Sequence, residues 1–272
     1  MSNTICLAIP HTPWVPERVE SMNRLYNQLA GPGPVRAFMD VPYAEFREKA
    51  PISKWARDLW AWQVAQNTDW CMQLQDDTTV APRFWPKLQA MLASLPQDAG
   101  IIGLAATHPL AMEIARRGHR WYRTDAMLIG WAWVIRRPVL QHFLSVVTDK
   151  PFKCEDEQLG QFADHYGYKV WHPCPTLVDH DTSIASTYQN DAHSTRRPQV
   201  TWRDYGGASM EDPTWWAPGG LPEILPMPPQ RMCCLCLEYP EVMHSTKTNM
   251  GICGVCIGKF IGFQFQPSIP TA

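Results

Sequence analysis

Mainly apolar runs alternate with amphipathic segments along about the first 180 residues. Residues 5–10, 69–74, 99–104 and 125–135 are short apolar runs bounded by turn residues, which is typical of buried strands. Between them, apolar residues recur three and four apart, as on one face of a helix, at residues 54–66, 84–95 and 155–166. This alternation predicts an α/β fold with a mainly parallel sheet flanked by helices, whose ligand sites lie at the carboxyl ends of the strands.

Composition excludes several other classes of protein. The 272 residues are 45% apolar and 18% charged, which is unlike a disordered, collagenous or coiled-coil chain. With 24 Lys and Arg against 26 Asp and Glu, the net charge is −2. Any binding to nucleic acid must therefore be local and does not arise from the charge of the whole molecule.

No segment resembles a membrane anchor or a leader peptide. The longest apolar stretch, residues 126–135, is about half of the roughly 20 residues that a membrane-spanning helix needs. The N-terminus lacks the positive charge and the long apolar region of a secretory signal. We therefore expect a cytoplasmic protein with no membrane partner; the sequence leaves the oligomeric state open.

A proline-rich segment marks the predicted domain boundary. Residues 211–230 contain six prolines together with a Gly-Gly and a Trp-Trp pair, which indicates a stiff, extended linker. The predicted organisation is an enzyme-like domain over residues 1–210, the linker over 211–230 and a small domain over 231–272.

Paired cysteines characterise that last segment. Two C-x2-C motifs, Cys233 with Cys236 and Cys253 with Cys256, are separated by sixteen residues. This spacing predicts a zinc ribbon with four thiolate ligands and no open coordination position, so the zinc is structural. Redox pairs or incidental cysteines are the alternative, and Cys234 is expected not to bind the metal. The sequence does not determine whether the ribbon contacts nucleic acid, another protein or the catalytic domain of its own chain.

Two groups of acidic residues follow predicted strands or begin a helix. Gln75-Asp76-Asp77 follows the strand at 69–74, where its carboxylates suit a hard divalent cation. A turn that caps the next helix is the alternative interpretation. Further along the chain come Glu155-Asp156-Glu157 and then Asp179-His180.

This order of motifs resembles that of the GT-A glycosyltransferases, over about residues 3 to 190. The resemblance implies a Rossmann-like GT-A fold and transfer of a sugar from a nucleotide-diphosphate donor to a hydroxyl, with Mn or Mg stabilising the leaving diphosphate. By the same resemblance, Asp77 and His180 bind the metal and Asp76 contacts the donor's ribose or sugar. Gln75 departs from the usual acidic residue and lowers the charge of the site.

The resemblance also assigns the catalytic base. Asp156 matches the carboxylate that takes the proton from the acceptor hydroxyl, so that attack opposite the diphosphate inverts the anomeric configuration. Glu155 or Glu157 would serve if the register differs, and Glu155 is otherwise expected to contact the substrate. Acids that merely favour the helix dipole are the alternative reading.

Basic and aromatic residues complete the predicted site. By analogy with the fold, the nucleotide base and phosphates are held by His11, Arg18, Lys54 and Arg57, with solvated helix charges as the alternative. Trp131 and Trp133 are expected to stack on sugar, unless they only pack in the core. Arg196 and Arg197, close in sequence to Trp202 and Arg203, are expected to meet phosphates.

Together these features predict a metal-dependent, inverting glycosyltransferase with an appended zinc ribbon. Compact enzymes of this kind resemble those of bacteriophages, which implies hydroxymethylated pyrimidines in DNA as the acceptor and the host cytoplasm as the location. The alternatives are a protein or glycan acceptor, or a non-catalytic adaptor whose ribbon makes the useful contact. A metal-dependent hydrolase or nuclease would use the same carboxylates, but the spacing carries no nuclease signature.

Overall fold

The computed structural model describes residues 3–31, 33–39, 53–108, 110–124, 131–147, 155–184, 198–206, 208–224, 243–245 and 250–252. At 53–55, 155–157, 208 and the last two ranges it describes the backbone alone. The chain divides into two compact units, Met1–Ile224 and Leu225–Ala272.

The centre of the first unit is a β-sheet. The described residues form seven strands of it, in the order β2-β1-β3-β7-β5-β8-β6. Five strands run in one direction, whereas β6 and β7 run in the other. This confirms the prediction of a mixed α/β fold with a mainly parallel sheet. The strands are β1 (Ile5–His11), β2 (Val35–Met39), β3 (Trp70–Leu74), β5 (Ile101–Gly103), β6 (Trp121–Thr124), β7 (Ala132–Arg136) and β8 (Val170–Pro173). A separate antiparallel pair joins β4 (Thr78–Val80) to β9 (Val178–His180).

Helices cover both faces of the sheet because the side chains of its strands alternate between two cores. Ile5, Leu7 and Ile9 of β1 belong to one apolar cluster, while Cys6 and Ala8 belong to the other. The first cluster includes residues of α1 and α3, and the second includes residues of α2, α5 and α6. The helices are α1 (Pro16–Leu29), α2 (Ser53–Ala65), α3 (Phe84–Ala93), α4 (Ala111–Arg116), α5 (Arg137–Val146) and α6 (Glu155–Tyr166).

The first part of the predicted linker is folded into the first unit. A 3₁₀ helix at Pro213–Trp216 fully buries Trp216, whose carbonyl accepts a 2.7 Å hydrogen bond from Trp121 Nε1. The indole of Trp216 in turn donates to the carbonyl of Met210. These contacts hold the chain after Glu211 against the sheet, and the first unit extends to Ile224.

The described residues of the second unit form two short strands. β10 (Met243–Ser245) and β11 (Met250–Ile252) form an antiparallel pair in the sequence between the two C-x2-C motifs. Cys233, Cys236, Cys253 and Cys256 lie outside the described residues, so the zinc ribbon stays a prediction. No helix in the described part of the chain has the length and apolar character needed to cross a bilayer.

Candidate functional site

The carboxyl ends of β1 and β3 bring the first site residues together. These strands are parallel neighbours with Ala8 opposite Gln73, so the residues three further along, His11 and Asp76, are also neighbours. His11 Nδ1 lies 2.9 Å from Asp76 Oδ2, and the backbone N–H of Thr12 donates to the same oxygen at 2.8 Å. The strand register thus fixes one side of the Asp76 carboxylate.

Arg18, in the first turn of α1, bridges the two adjacent carboxylates. Its Nη1 donates to Asp76 Oδ1 and its Nη2 donates to Asp77 Oδ2, both at 2.5 Å. All three side chains are buried: Arg18 is 5% exposed, Asp76 1% and Asp77 0%. Buried carboxylates require a paired charge, and here one guanidinium serves both.

The β4–β9 pair brings His180 to the opposite side of Asp77. Thr78, which follows Asp77, lies opposite His180 in this antiparallel pair. His180 Nε2 is 3.0 Å from Asp77 Oδ2, and the backbone N–H of Asp181 donates to the Asp77 carbonyl at 2.8 Å. Three separate chain segments therefore meet at Asp77.

Trp131 forms an aromatic wall beside this cluster. Its ring centroid lies 5.4 Å from that of His180, and its carbonyl accepts a 2.9 Å hydrogen bond from the Gln75 backbone N–H. The bond ties the start of β7 to the acidic turn. The indole is thus held next to the imidazole, but it is 7% exposed and belongs to the first apolar cluster, so its stacking on sugar stays a prediction.

The surroundings of Asp77 favour its ionised form. Burial by itself would raise the pKa of this carboxyl, but the hydrogen bond from His180 and the positive charge of Arg18 outweigh it and lower the pKa below the ordinary 3.8. Asp77 therefore carries its negative charge at neutral pH.

Part of the donor set suits a divalent metal. Within the described ranges, no group of three or more His, Cys, Asp or Glu side chains could hold an ion. However, Asp77 Oδ1 is buried and has no hydrogen-bond partner. The 3.0 Å between Asp77 Oδ2 and His180 Nε2 also equals the separation of two adjacent ligands, about 3.0 Å, around an octahedral ion with bonds near 2.1 Å. Mg²⁺ commonly takes one or two protein ligands and completes its shell with water and substrate phosphates, so this pair fits such an ion.

Six of the predicted site residues lie together in the structure, and a seventh lies elsewhere, in the core. His11, Arg18, Asp76, Asp77, Trp131 and His180 lie in one cluster. Trp133, predicted to stack on sugar, is 1% exposed and packs in the core on the α2 side of the sheet. The prediction for Trp133 is wrong because its indole lies on the same face of β7 as Ile135, inside the core, where it cannot meet a ligand.

Other predicted residues have different neighbours or lie outside the described side chains. The Arg57 guanidinium donates to the carbonyl of Val147, just after α5, at 2.7 Å. Asp156 and Glu155 stand in the first turn of α6 and Lys54 in the first turn of α2, but only their backbone is described. Arg196 and Arg197 lie outside the described residues.

Two ion pairs next to the cluster were not predicted. Arg203 pairs with Asp179, whose other oxygen accepts from the His180 backbone N–H at 2.9 Å. Arg24 on α1 pairs with Asp181 at 3.1 Å. Asp179 and Asp181 flank His180 in sequence, so the acidic-basic-acidic order D-H-D was the available signal.

Comparisons with known proteins give loose likenesses in structure alone. No family model and no curated protein matches the chain. A mannosyltransferase from Pyrobaculum calidifontis, solved with GDP-Man and Mn²⁺, is 12% identical over 62% of this chain, with a TM-score of 0.40. This chain spans about half, 54%, of that enzyme's length.

Two further solved structures give similar values. A CMP:2-keto-3-deoxy-manno-octonic acid synthetase in complex with CTP is 15% identical over 64% of this chain and 92% of its own, with a TM-score of 0.36. A glycosyltransferase involved in the glycosylation of the major capsid of PBCV-1 is 11% identical over 70% of this chain and 98% of its own, with a TM-score of 0.33. At these scores no residue role is transferred from them.

Proposed function

We propose that this protein is a metal-dependent, inverting glycosyltransferase that uses a nucleotide-diphosphate sugar. The observation that carries the proposal is the convergence of two carboxylates, two imidazoles and a guanidinium on the edge where β1 and β3 end. That edge is where open α/β sheets bind ligands. The charges are suited to a cation together with a diphosphate.

Asp77 and His180 would hold the Mn²⁺ or Mg²⁺, through the carboxylate and the imidazole. When bound, the ion would neutralise charge that develops on the leaving diphosphate. Arg18 donates to Asp77 Oδ2 in the structure, so loading the site requires this guanidinium to turn away. It would then stand close enough to pair with the donor's phosphates, the role predicted for it from sequence.

Asp156 is proposed as the base that completes the reaction. Its carboxylate takes the proton of the acceptor hydroxyl while that oxygen bonds to the anomeric carbon. The bond from that carbon to the diphosphate oxygen breaks, and the electron pair leaves with the nucleoside diphosphate. Attack opposite the leaving group inverts the configuration. Replacement of Asp156 by Asn should abolish transfer without weakening donor binding.

For the acceptor we propose a hydroxymethylated pyrimidine in DNA. The basic residues Arg196, Arg197 and Arg203 follow β9 closely in sequence, and the proposed zinc ribbon supplies a second module for docking. The net charge of −2 requires that contacts with DNA be local. A transfer assay that compares modified DNA with protein and glycan acceptors tests this choice.

One observation favours a second candidate, a non-catalytic adaptor. The acidic pair is buried, and both carboxylates already pair with Arg18, an arrangement that can stand without a ligand. In that case the ribbon would make the functional contact. This candidate predicts zinc in the purified protein but neither donor binding nor sugar turnover.

Calorimetry with a panel of nucleotide-diphosphate sugars, with and without Mn²⁺, separates the two candidates. The glycosyltransferase requires metal-dependent binding of at least one donor, lost in Asp77→Asn and kept in the control Asp98→Asn, which removes a carboxylate on an exposed loop. Binding of no donor, or equal binding by Asp77→Asn, would overturn the proposal.

A further inference from the structure

A basic cavity lies beyond the far end of the β4–β9 pair. Its volume is about 400 Å³, and its lining includes three cations, two aromatic rings and one acid: Arg83, Lys87, Arg203, Trp202, Tyr205 and Glu211. Arg83 follows Asp77 by six residues, and β4 joins the two. Neither the donor nor the metal site proposed above uses this cavity.

Local structure fixes the cations on its wall. Arg83 immediately precedes α3 and Lys87 lies in its first turn, and both line the cavity. Arg203 belongs to a short 3₁₀ helix whose first residue is capped, because Thr201 Oγ1 accepts from the Arg203 backbone N–H and Asp204 Oδ2 accepts from the Thr201 backbone N–H. The wall is therefore built from two anchored segments.

Two of the three cations are already paired. Arg83 Nη2 lies 2.8 Å from Glu211 Oε2, and Arg203 pairs with Asp179. Lys87 is only 8% exposed, yet among the described side chains no hydrogen bond or ion pair satisfies its ammonium. The Lys87 side chain lines the cavity, so an anion that enters the cavity can pair with its ammonium. The cavity therefore offers an anion one positive charge that no described side chain already pairs.

We propose that this cavity binds a phosphate of the acceptor, as part of a nucleotide unit in a single strand of DNA. Lys87 would contact the phosphate, and the half-buried Tyr205 ring would lie beside the base or sugar. The Trp202 indole belongs to the apolar core and has the Arg203 guanidinium 4.4 Å from its ring centroid, so it supports the wall from behind. This inference rests on the proposed glycosyl transfer and specifies its acceptor. Arg203 pairs with Asp179, the residue before His180, so the strand would approach the metal-binding cluster along β9.

Binding of a labelled, mixed-sequence 12-nucleotide single-stranded DNA, followed by fluorescence anisotropy at several salt concentrations, tests the proposal. Lys87→Met should weaken binding and make the slope of log Kd against log salt shallower by about 0.7, the change expected when one phosphate contact with a single strand is lost. Lys87→Arg should restore both. Inorganic phosphate alone, as a competitor, should displace the strand only at far higher concentration.

A second pair of variants covers the case in which Lys87→Met does not fold. Arg83→Gln should weaken DNA binding, whereas Arg117→Gln should not. The two arginines are matched, since the side chains of Arg83 and Arg117 are 68% and 69% exposed and each pairs with one glutamate, but Arg117 immediately follows α4 and lies outside the cavity. Equal binding by Arg83→Gln, Arg117→Gln and the unaltered protein would overturn the proposal, as would failure of the unaltered protein to bind the strand.

Donor calorimetry on the same variants separates this inference from the proposed function. Lys87→Met should bind the nucleotide sugar as the unaltered protein does, and Asp77→Asn should still bind DNA. If DNA binding depends on Lys87 but no donor binds, the result supports the DNA-binding cavity and contradicts the proposed glycosyltransferase. If a donor binds but the DNA strand does not, the result supports the enzyme and contradicts the DNA-binding cavity.

Discussion

Arg18 is the residue on which the charge balance of the cluster depends. One guanidinium pairs with two adjacent carboxylates that are almost completely buried. Replacing it with Met should leave both carboxylates without this cation and lower the free energy of unfolding by about 3–5 kcal/mol. Urea unfolding at pH 7 measures the loss.

Arg117→Met provides the control for Arg18→Met, because Arg117 forms an exposed ion pair with Glu113 on α4. Exposed pairs contribute little, so we expect a change within about 0.5 kcal/mol. Similar losses in the two variants would contradict a buried ion-pair role for Arg18. Adding Asp77→Asn to Arg18→Met should recover part of the lost stability, since it removes one uncompensated charge.

His172 on β8 should make stability depend on pH. Its ring is fully buried, and burial lowers its pKa from 6.5 to about 3. Nδ1 lies 3.2 Å from the Gly103 carbonyl, which only accepts, so Nδ1 carries the proton and Nε2 faces Thr124. Between pH 3 and 6.5 the unfolded chain binds more protons than the native one, so the free energy of unfolding falls as pH drops.

From pH 7 to pH 5, the contribution of His172 to this loss should be roughly 2 kcal/mol. His172→Asn keeps a donor toward Gly103 and removes the titration. Urea unfolding at both pH values should show a smaller decrease for this variant than for the unaltered protein. The same decrease in both proteins would mean that His172 does not titrate as its burial implies.

At the scale of elements, β5 and β8 pack so closely that only glycine fits at one position. A Cβ at Gly103 would lie 2.6 Å from Cε1 and 2.8 Å from Nδ1 of the His172 ring. The ring is buried and hydrogen-bonded at both nitrogens, so it has little room to move. Gly103→Ala should therefore destabilise the protein by about 1–3 kcal/mol.

Gly219→Ala is the matched substitution for this test. A Cβ at Gly219 meets no atom within 4 Å and its φ is ordinary, so thermal unfolding should show a Tm close to that of the unaltered protein. A Tm for Gly103→Ala equal to that of Gly219→Ala would show that the β5–β8 contact tolerates a methyl group.

The sequence predicts long elements well because their pattern repeats. The first strand, the helix over 155–166 and the acidic turn after residue 74 all lie where periodicity and turn residues placed them. β4, β6 and β9 have three or four residues, which is too short for a period to show, and β6 and β4 were not predicted. The pairing of β4 with β9 is a long-range contact that local pattern does not encode.

The candidate site was predictable in position and not in its contacts. The end of the strand at 69–74 identified Asp76 and Asp77, because ligands bind where the parallel strands end, whereas His11 was expected only by analogy with the fold. The double pairing of Arg18 depends on the direction of a side chain from α1, and the burial of Trp133 depends on which face of β7 packs against α2. Neither property can be read without the tertiary packing.

At the scale of the whole molecule, the two proposed metals belong to different units: Mn²⁺ or Mg²⁺ to the first and zinc to the second. We expect purified protein to contain about one zinc ion per chain, bound by the four paired cysteines. Cys253→Ser should lose zinc, whereas Cys234→Ser should keep it, because Cys234 stands outside the C-x2-C pairs. Atomic absorption of the two variants measures the difference, and equal zinc content would contradict the predicted ligand set.

The bridge from Arg18 to both carboxylates has a thermodynamic consequence for how ligands bind. A cation that binds Asp77 must displace a guanidinium, and a diphosphate that arrives with the cation gives that guanidinium a new partner. Each ligand therefore removes an obstacle to the other, which is positive coupling. By linkage, the factor by which the donor strengthens Mn²⁺ binding must equal the factor by which Mn²⁺ strengthens donor binding. In a cell with little free metal, the proposed enzyme would keep both carboxylates paired with Arg18 at rest and bind its metal together with its donor.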